Sequence, residues 1–409
     1  MIEKYDVVVI GGGAAGLAAA IAAAECGDRV TILERMDRVG KKILATGNGR
    51  CNLMNTGERR YPGGNAFADE VLNRCGVVEQ NRFWHHIGLR MRQEEGGRVY
   101  PVSGMASSVL DALRFAAEAL GVETMTGVHV TGVFKARHGW TVIAGEEKWK
   151  ADRVIIAGGG CAQPKLGSDG SAWALLEMLG HSLVQPKPAL TQIVTDTTAI
   201  KGLSGIRVRT EISISRNGQA VYGESGELLF ADYGVTGVCV MQCARYVAPG
   251  DVMHINLVKA MGFDEEDAFR QELHRRRTQW GHTRKQCDLL TGLCVPKLAQ
   301  ALLAAAGMHS AQHSVCGEIN AACIDRLVRV AGDFTLTVRG VKGFESAQVT
   351  AGGIATDHFN PATMESNLAH CIHAAGEVLD VDGDCGGYNL MFAFGSGILA
   401  GLGGRAFPW

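Results

Sequence analysis

Twelve cysteines are scattered along the 409 residues, yet no two stand in a C-x-x-C spacing. That lack argues against a structural zinc site, a secreted disulfide framework and a dithiol active site, and fits thiols kept reduced in a cytoplasm. No metal-ligand spacing and no nucleophile elbow appears in the sequence. Charge of one sign is not in excess either. Lys+Arg 40 against Asp+Glu 42 leaves a net charge of -2, which argues against a strongly nucleic-acid-seeking surface. The opening residues MIEKYDVVVI are acidic where a signal peptide would be basic. The long uncharged stretch from Gly386 to Gly404 holds seven glycines with Asn389 and Ser396, which makes it a poor membrane span and a suitable buried helix.

What the chain does have is glycine. Its 54 glycines cluster at 11–16, 158–160, 352–353 and 383–404 instead of following a repeat, which suggests close backbone approach to something. The length suits two domains, or one large domain with an insertion. Tyr5-Asp6-Val7-Val8-Val9-Ile10 reads as a buried parallel strand. Gly11-Gly12-Gly13-Ala14-Ala15-Gly16 follows at once, then an alanine-rich helix to about Cys26, a turn at Gly27-Asp28 and a second strand from Val30 to Glu34. In this β-α-β unit Gly11 is expected to make the tight turn, Gly13 to let backbone approach a pyrophosphate, and Gly16 to let helix and strand pack closely. Ala14 and Ala15 open a helix whose free N–H groups would face the phosphates, and Glu34, about 20 residues on, is placed to accept hydrogen bonds from an adenosine ribose.

The fingerprint alone fits either FAD or NAD, and the residues after Glu34 favour FAD. RMDRVGKKILATGNGRCN, from Arg35 to Asn52, is a long, basic, glycine-punctuated loop where a nicotinamide enzyme usually begins its next helix. It suits an extended cofactor, with Arg35, Lys41, Lys42, Gly47, Arg50 and Cys51 near phosphate or the flavin edge. A helix near 106–120 and strands near 127–135, 139–144 and 148–156 read as a meander returning to the sheet. Val130, Ala157, Gly158 and Gly159 join the cofactor-facing set. Pro164 keeps the triple glycine from opening a second dinucleotide helix. Cys371 to Ala375 reads as a last parallel strand. Gly376-Glu377 then takes the place of a Gly-Asp that binds the ribityl chain in two-dinucleotide-type flavoproteins, with Asp380 close behind. Gly387, Tyr388 and Asn389 open a helix whose N-terminus would face the isoalloxazine. The two glycine-rich segments would then grip opposite ends of one FAD.

The stretches GGGAAGLAAA, GKKILATGNGRCNLMN, AGGGCAQPKLGSDG, LLFADYGVTG, VPKLAQALL, VTAGGIATD, TMES and GEVLDVDGDCGGYN occur in this order over nearly the whole chain. By them the sequence resembles the BaiN/YhiN-type FAD-dependent flavoproteins, a family that includes aminoacetone-oxidase-like enzymes. The resemblance implies an α/β fold: a two-segment FAD/NAD(P)-binding Rossmann-like domain of the glutathione-reductase-like class, residues 1–188 and 345–409, with an inserted β-barrel and helical substrate module at 189–344. In the insert, alternating runs at 192–194, 206–212 and 252–257 read as strands, and 264–307 as mostly helical. Asn48, Val238 and Met391-Phe392-Ala393-Phe394 depart from the family pattern and bear on substrate more than on cofactor.

The activity so implied is an FAD-dependent oxidoreductase moving hydride between flavin N5 and a small molecule, with NAD(P)H able to act as a transient electron donor. Two alternatives stand beside it. One is an aminoacetone-type amine oxidase. The other is a flavoprotein acting on nucleic acid, supported by the basic run Arg270 to Trp280 with Arg284 and Lys285. The near-zero net charge favours a solvated helix face for that run, so nucleic acid is the weaker reading, membrane insertion is not expected, and the oligomeric state stays open. Cys51, Tyr388 and Asn389 are candidate catalytic groups. His85 and His86 are expected to split into one core-facing and one exposed residue, and His358 and His373 are weaker candidates.

Overall fold

The computed structural model describes residues 3–309 and 311–409. The chain divides into two compact units, 1–188 with 344–409, and 189–343.

The first unit begins with β1 (Lys4–Ile10), α1 (Ala14–Glu25) and β2 (Val30–Glu34). β1 and β2 are parallel, with Val7 opposite Val30 and Ile10 opposite Leu33. The run Val7 to Ile10 is continuously apolar because it is buried throughout, as a strand covered on both faces must be. α2 (Ala106–Ala119) leads to β3 (Glu123–Thr126), which pairs with β2. β4 (Gly132–Lys135), β5 (Trp140–Ala144) and β6 (Glu147–Ile156) form an antiparallel meander. β6 is used twice: it closes the meander against β5, and from Lys150 onward it runs parallel to β1, bringing Ile156 opposite Ile10. Residues 127–131, expected as strand, are not.

The second unit contains a closed barrel. Its strands are β7 (Ile193–Thr195), β8 (Arg207–Arg216), β9 (Gln219–Ala231), β10 (Gly234–Thr236), β11 (Val252–Ile255) and β12 (Phe334–Val341), in the order β7-β10-β9-β8-β11-β12. β7 closes the ring, Ile193 pairing with both Val235 and Val341. Alternate residues point inward: Ile212 and Ile214, Leu228 and Phe230, Met253 and Ile255, Leu336 and Val338 are all buried. α3 (Glu266–Trp280), α4 (Pro296–Ala305) and α5 (Ala321–Gly332) share this core.

The mostly helical reading of 264–307 holds as two helices, α3 stopping at Gly281 and α4 starting at Pro296. The strand at 252–257 ends at Ile255, because the Asn256 side chain accepts from the Lys259 N–H at 3.2 Å and starts a short helix. The basic run on α3 is largely occupied: Arg270 pairs with Asp267 and Asp325, Arg275 with Glu272, while Arg276 donates to the Leu289 and Thr291 carbonyls and Arg277 to that of Ile319.

Residues 344–409 return to the first unit. β13 (Ile372–Ala374) lies parallel to β6, with Ile372 opposite Val154, and α6 (Tyr388–Leu402) packs on α1. Both helices are lined with small residues. A Cβ on Gly397 would stand 2.3 Å from the Ala15 carbonyl oxygen, and one on Gly401 would stand 2.2 Å from that of Ala19, so the backbones touch. Among the described residues, no helix is long and apolar enough to cross a membrane.

His373, on β13, is buried with Nδ1 2.8 Å from the Thr363 carbonyl oxygen. Burial, helped by Arg153, pushes its pKa down to about 4 from an ordinary 6.5. Between these values the unfolded chain takes up a proton that the folded one refuses. Stability is therefore full above the ordinary value and falls as pH drops toward the folded one, by up to about 3 kcal/mol. Melting temperatures recorded from pH 7 to pH 4 should show this loss, and His373→Gln should flatten it; an unchanged slope in that variant would rule the assignment out.

Candidate functional site

The carboxyl ends of four parallel strands open into one crevice. Gly11 to Ala15 follow β1, Glu34 ends β2 with Met36 and Arg38 after it, Ala157 to Gly159 follow β6, and Ala375 to Glu377 follow β13; all line it. Open parallel sheets bind ligands at this edge, where helix N-termini and loops leave backbone N–H groups unpaired. Each glycine of the first turn has a different task. Gly11 has φ +100 and a Cβ there would meet the Ala157 carbonyl oxygen at 2.6 Å; a Cβ on Gly16 would stand 1.9 Å from the Gly11 carbonyl oxygen. Gly13 is different, for a Cβ there would meet no protein atom within 4 Å.

Polar groups fix the crevice edges. The Glu34 carboxylate accepts from the Gly12 and Met36 N–H groups, both at 2.7 Å, which anchors it at the end of β2. Farther along, Lys42 Nζ lies 2.6 Å from Glu377 Oε2, and Glu377 Oε1 accepts from the Thr350 N–H at 2.8 Å. Thr350 Oγ1 in turn accepts from the Cys161 and Ala162 N–H groups at 2.8 and 3.0 Å. Four chain segments are thereby tied behind the β13 turn. Gly376 has φ +75, and its N–H donates to Ser396 Oγ of α6 at 3.0 Å. The first two turns of α6 add Asn389, Leu390, Phe392 and Ala393 to the wall.

A family model described as the HI0933-like protein Rossmann domain matches residues 5–403. The chain belongs to that family. A 3-dehydro-bile acid Δ(4,6)-reductase from Clostridium scindens is 37% identical over 96% of this chain and 97% of its own length. A ribosomal RNA dihydrouridine synthase from Haemophilus influenzae is 26% identical over 98% and 99%. Among solved structures, a 3-ketosteroid-Δ4-(5α)-dehydrogenase from Rhodococcus jostii in complex with 4-androstene-3,17-dione has 17% identity and a TM-score of 0.47, over 98% of this chain and 95% of that one. As a member of the HI0933-like family the chain is an oxidoreductase of the FAD-dependent class with a Rossmann-like FAD-binding domain.

The crevice fits such a cofactor at the point where fit is most demanding. The open space over Gly13 lies beside the N-terminus of α1, a cradle that any side chain would fill. Gly11, Gly13, Ala14, Ala15, Glu34, Lys41, Lys42, Ala157, Gly158, Gly159, Gly376, Glu377 and Asn389 all line the crevice, while Gly16 packs behind it.

Most other expected residues are turned elsewhere. The Arg35 guanidinium clasps Asp169 and the Gly167 carbonyl. Arg50 pairs with Glu94 at 2.5 Å and lies over the Tyr100 ring, because Gly47 and Asn48 both have positive φ and reverse the chain ahead of it. Cys51 is fully buried, and burial pushes its thiol up to about 12, which favours the protonated thiol over the thiolate. Val130 is buried in the core, and the Asp380 backbone N–H donates to the Ile354 carbonyl, a main-chain bond that does not set the direction of its side chain. Gly387 abuts the Met54 carbonyl, and Tyr388 donates from its hydroxyl to the Glu58 carbonyl at 2.9 Å. Asn389 lines the crevice while its amide is held by both backbone groups of Gly383. His85 and His86 are both exposed, since Gln80, Phe83 and Trp84 take the buried face of their helix.

Ser168, Gln348 and Val349 line the crevice without having been named as cofactor-facing, and Phe392, named for its departure from the family pattern, lines it too. Ser168 lies in the stretch AGGGCAQPKLGSDG and Val349 opens VTAGGIATD, so a signal existed for both; Gln348 arrives from far along the chain with no local motif.

Proposed function

We propose that this protein reduces a carbon–carbon double bond conjugated to a carbonyl in a small molecule, with electrons drawn from NAD(P)H. The observation that supports this is the chemistry shared by the names of its relatives. One name describes reduction of 4,6 unsaturation in a 3-oxo steroid, and the other the formation of 5,6-saturated uridine. In both, hydride adds to an alkene carbon conjugated with a carbonyl: the β carbon in uridine, and the β or the vinylogous δ carbon in a 4,6-dien-3-one. The higher identity to the bile-acid enzyme, 37% against 26%, favours a small molecule, as do the occupied arginines of α3.

FAD supplies the hydride-carrying N5 when bound. In this reading the N–H groups at the start of α1 hold its pyrophosphate, Glu34 the adenosine ribose, and Glu377, steadied by Lys42 and Thr350, the ribityl chain. The first turn of α6 places a positive dipole end at the other end of the crevice, which favours an anionic ring.

The test is anaerobic. The flavin should bleach with NADH or NADPH and recover on addition of a 3-oxo-4,6-diene steroid, with loss of the dienone absorbance. Recovery with unmodified ribosomal RNA alone would move the reading to the nucleic-acid alternative. Bleaching by aminoacetone, with no recovery by either acceptor, would replace it with an amine oxidase.

A further inference from the structure

The barrel carries a set of side chains that the oxidoreductase chemistry does not use. β8 and β11 are antiparallel, with Ser213 opposite His254 and Ser215 opposite Val252. Ile212, Ile214, Met253 and Ile255 take the inward positions, so Ser213, Ser215 and His254 stand on the outer face. His254 is thus the diagonal neighbour of Ser215, a separation that an imidazole spans. Its Nε2 lies 2.8 Å from Ser215 Oγ. Nδ1 lies 2.7 Å from an Asp333 carboxylate oxygen. Asp333 comes from a third element: it caps the C-terminus of α5, immediately before β12, whose Thr335 is the partner of His254.

The protonation pattern follows from these partners. A carboxylate only accepts, so Nδ1 carries the proton and Nε2 offers its lone pair to the serine hydroxyl. This is the group order, and the choice of ring nitrogens, that acyl transfer through serine requires. Among the described residues, none of the three side chains bonds anything else, so neither a helix cap nor a ladder uses them. All three line one pocket on the barrel, with Glu211, Glu224 and Asn256.

We propose that Ser215, His254 and Asp333 form a nucleophilic site that hydrolyses small esters, a second activity of the chain. Ser215 Oγ attacks the ester carbonyl carbon as its proton passes to His254 Nε2. The bond from that carbon to the alcohol oxygen breaks, and the alcohol leaves with the proton. Water, deprotonated by Nε2, then attacks the acyl group, releases the acid and returns the proton to Ser215 Oγ. Asp333 holds the ring and offsets its transient positive charge. Glu224, with Glu211 and its partner Lys259, leaves this wall without an excess of positive charge to attract an anion, so the class is a neutral or cationic ester.

The test uses the purified flavin-loaded protein with p-nitrophenyl acetate and a fluorophosphonate probe. Saturable release of p-nitrophenol and a fluorophosphonate adduct mapped to Ser215 by mass spectrometry are expected. Ser215→Ala and His254→Ala should each lower release at least 100-fold, and Asp333→Asn at least 10-fold, with melting temperature and flavin content unchanged. Release that persists in Ser215→Ala, or an adduct confined to another residue, would overturn the proposal; a normal melting curve in that variant excludes misfolding as the cause of a loss.

Discussion

Gly13→Leu is expected to purify as a folded protein without flavin. Gly13 has φ −82 and ψ −164, an extended conformation that leucine adopts without strain, and a Cβ built on it meets no protein atom within 4 Å. The side chain therefore costs the fold little, and the space it takes is the crevice at the start of α1. If that space holds the FAD pyrophosphate, affinity falls at least 100-fold, about 2.7 kcal/mol. The checks are the visible absorbance of the purified protein, FAD titration and a melting curve without cofactor. Gly16→Ala is the counterpart: its Cβ would lie 1.9 Å from the Gly11 carbonyl oxygen, so it should lower the melting temperature whether or not FAD is present. A Gly13→Leu protein that retains full flavin would refute the phosphate assignment and leave the fold description intact.

The contrast between these glycines marks how much the sequence can tell. The β-α-β unit was legible because its determinants are local: an apolar run, three spaced glycines and an acid at the end of the next strand. The crevice residues that follow β1, β6 and β13 directly were legible for the same reason. Arg35, Arg50 and Cys51, after β2, and Val130, after β3, face away from the crevice, because adjacency in sequence does not set side-chain direction. Positive φ at Gly47 and Asn48 redirects the loop, and spacing carries no sign of that. The barrel was half legible. Ile206 to Ile212 alternates plainly, but its partner QAVYGESGELLFA, β9, does not, since Gly223 and Gly226 interrupt the apolar positions and most of the remaining residues are polar. Ser215, His254 and Asp333 are joined only by strand register, so no motif announces them.

Of the C-terminal glycines, Gly376 lines the crevice as expected of a cofactor contact, while the stretch from Gly386 onward forms the expected buried helix. Gly397 and Gly401 do other work, and Gly397→Leu should show it with a large loss of stability. α1 is buried from Ala15 to Ala23, so it has no free side to move toward. A Cβ on Gly397 would press on the Ala15 carbonyl oxygen at 2.3 Å, and both partners are helix backbone, which does not yield as a side-chain end would. Overpacking typically costs 1–3 kcal/mol and more where the neighbour is rigid. For a unit of this size about 3 kcal/mol corresponds to a fall of roughly 10 °C in melting temperature. Gly223→Ala on β9 is the control, since its Cβ would meet the Ile212 carbonyl oxygen at an ordinary 3.5 Å. The loss should extend to flavin, because Ala15 lines the crevice and a Cβ on Gly376 would meet the Ala15 Cβ at 2.8 Å. Displacing α1 then displaces both lips of the site together. Unlike Gly13→Leu, this variant should lose cofactor and melting temperature in the same step; an unchanged melting curve would show that α1 and α6 can separate, contrary to the packing described.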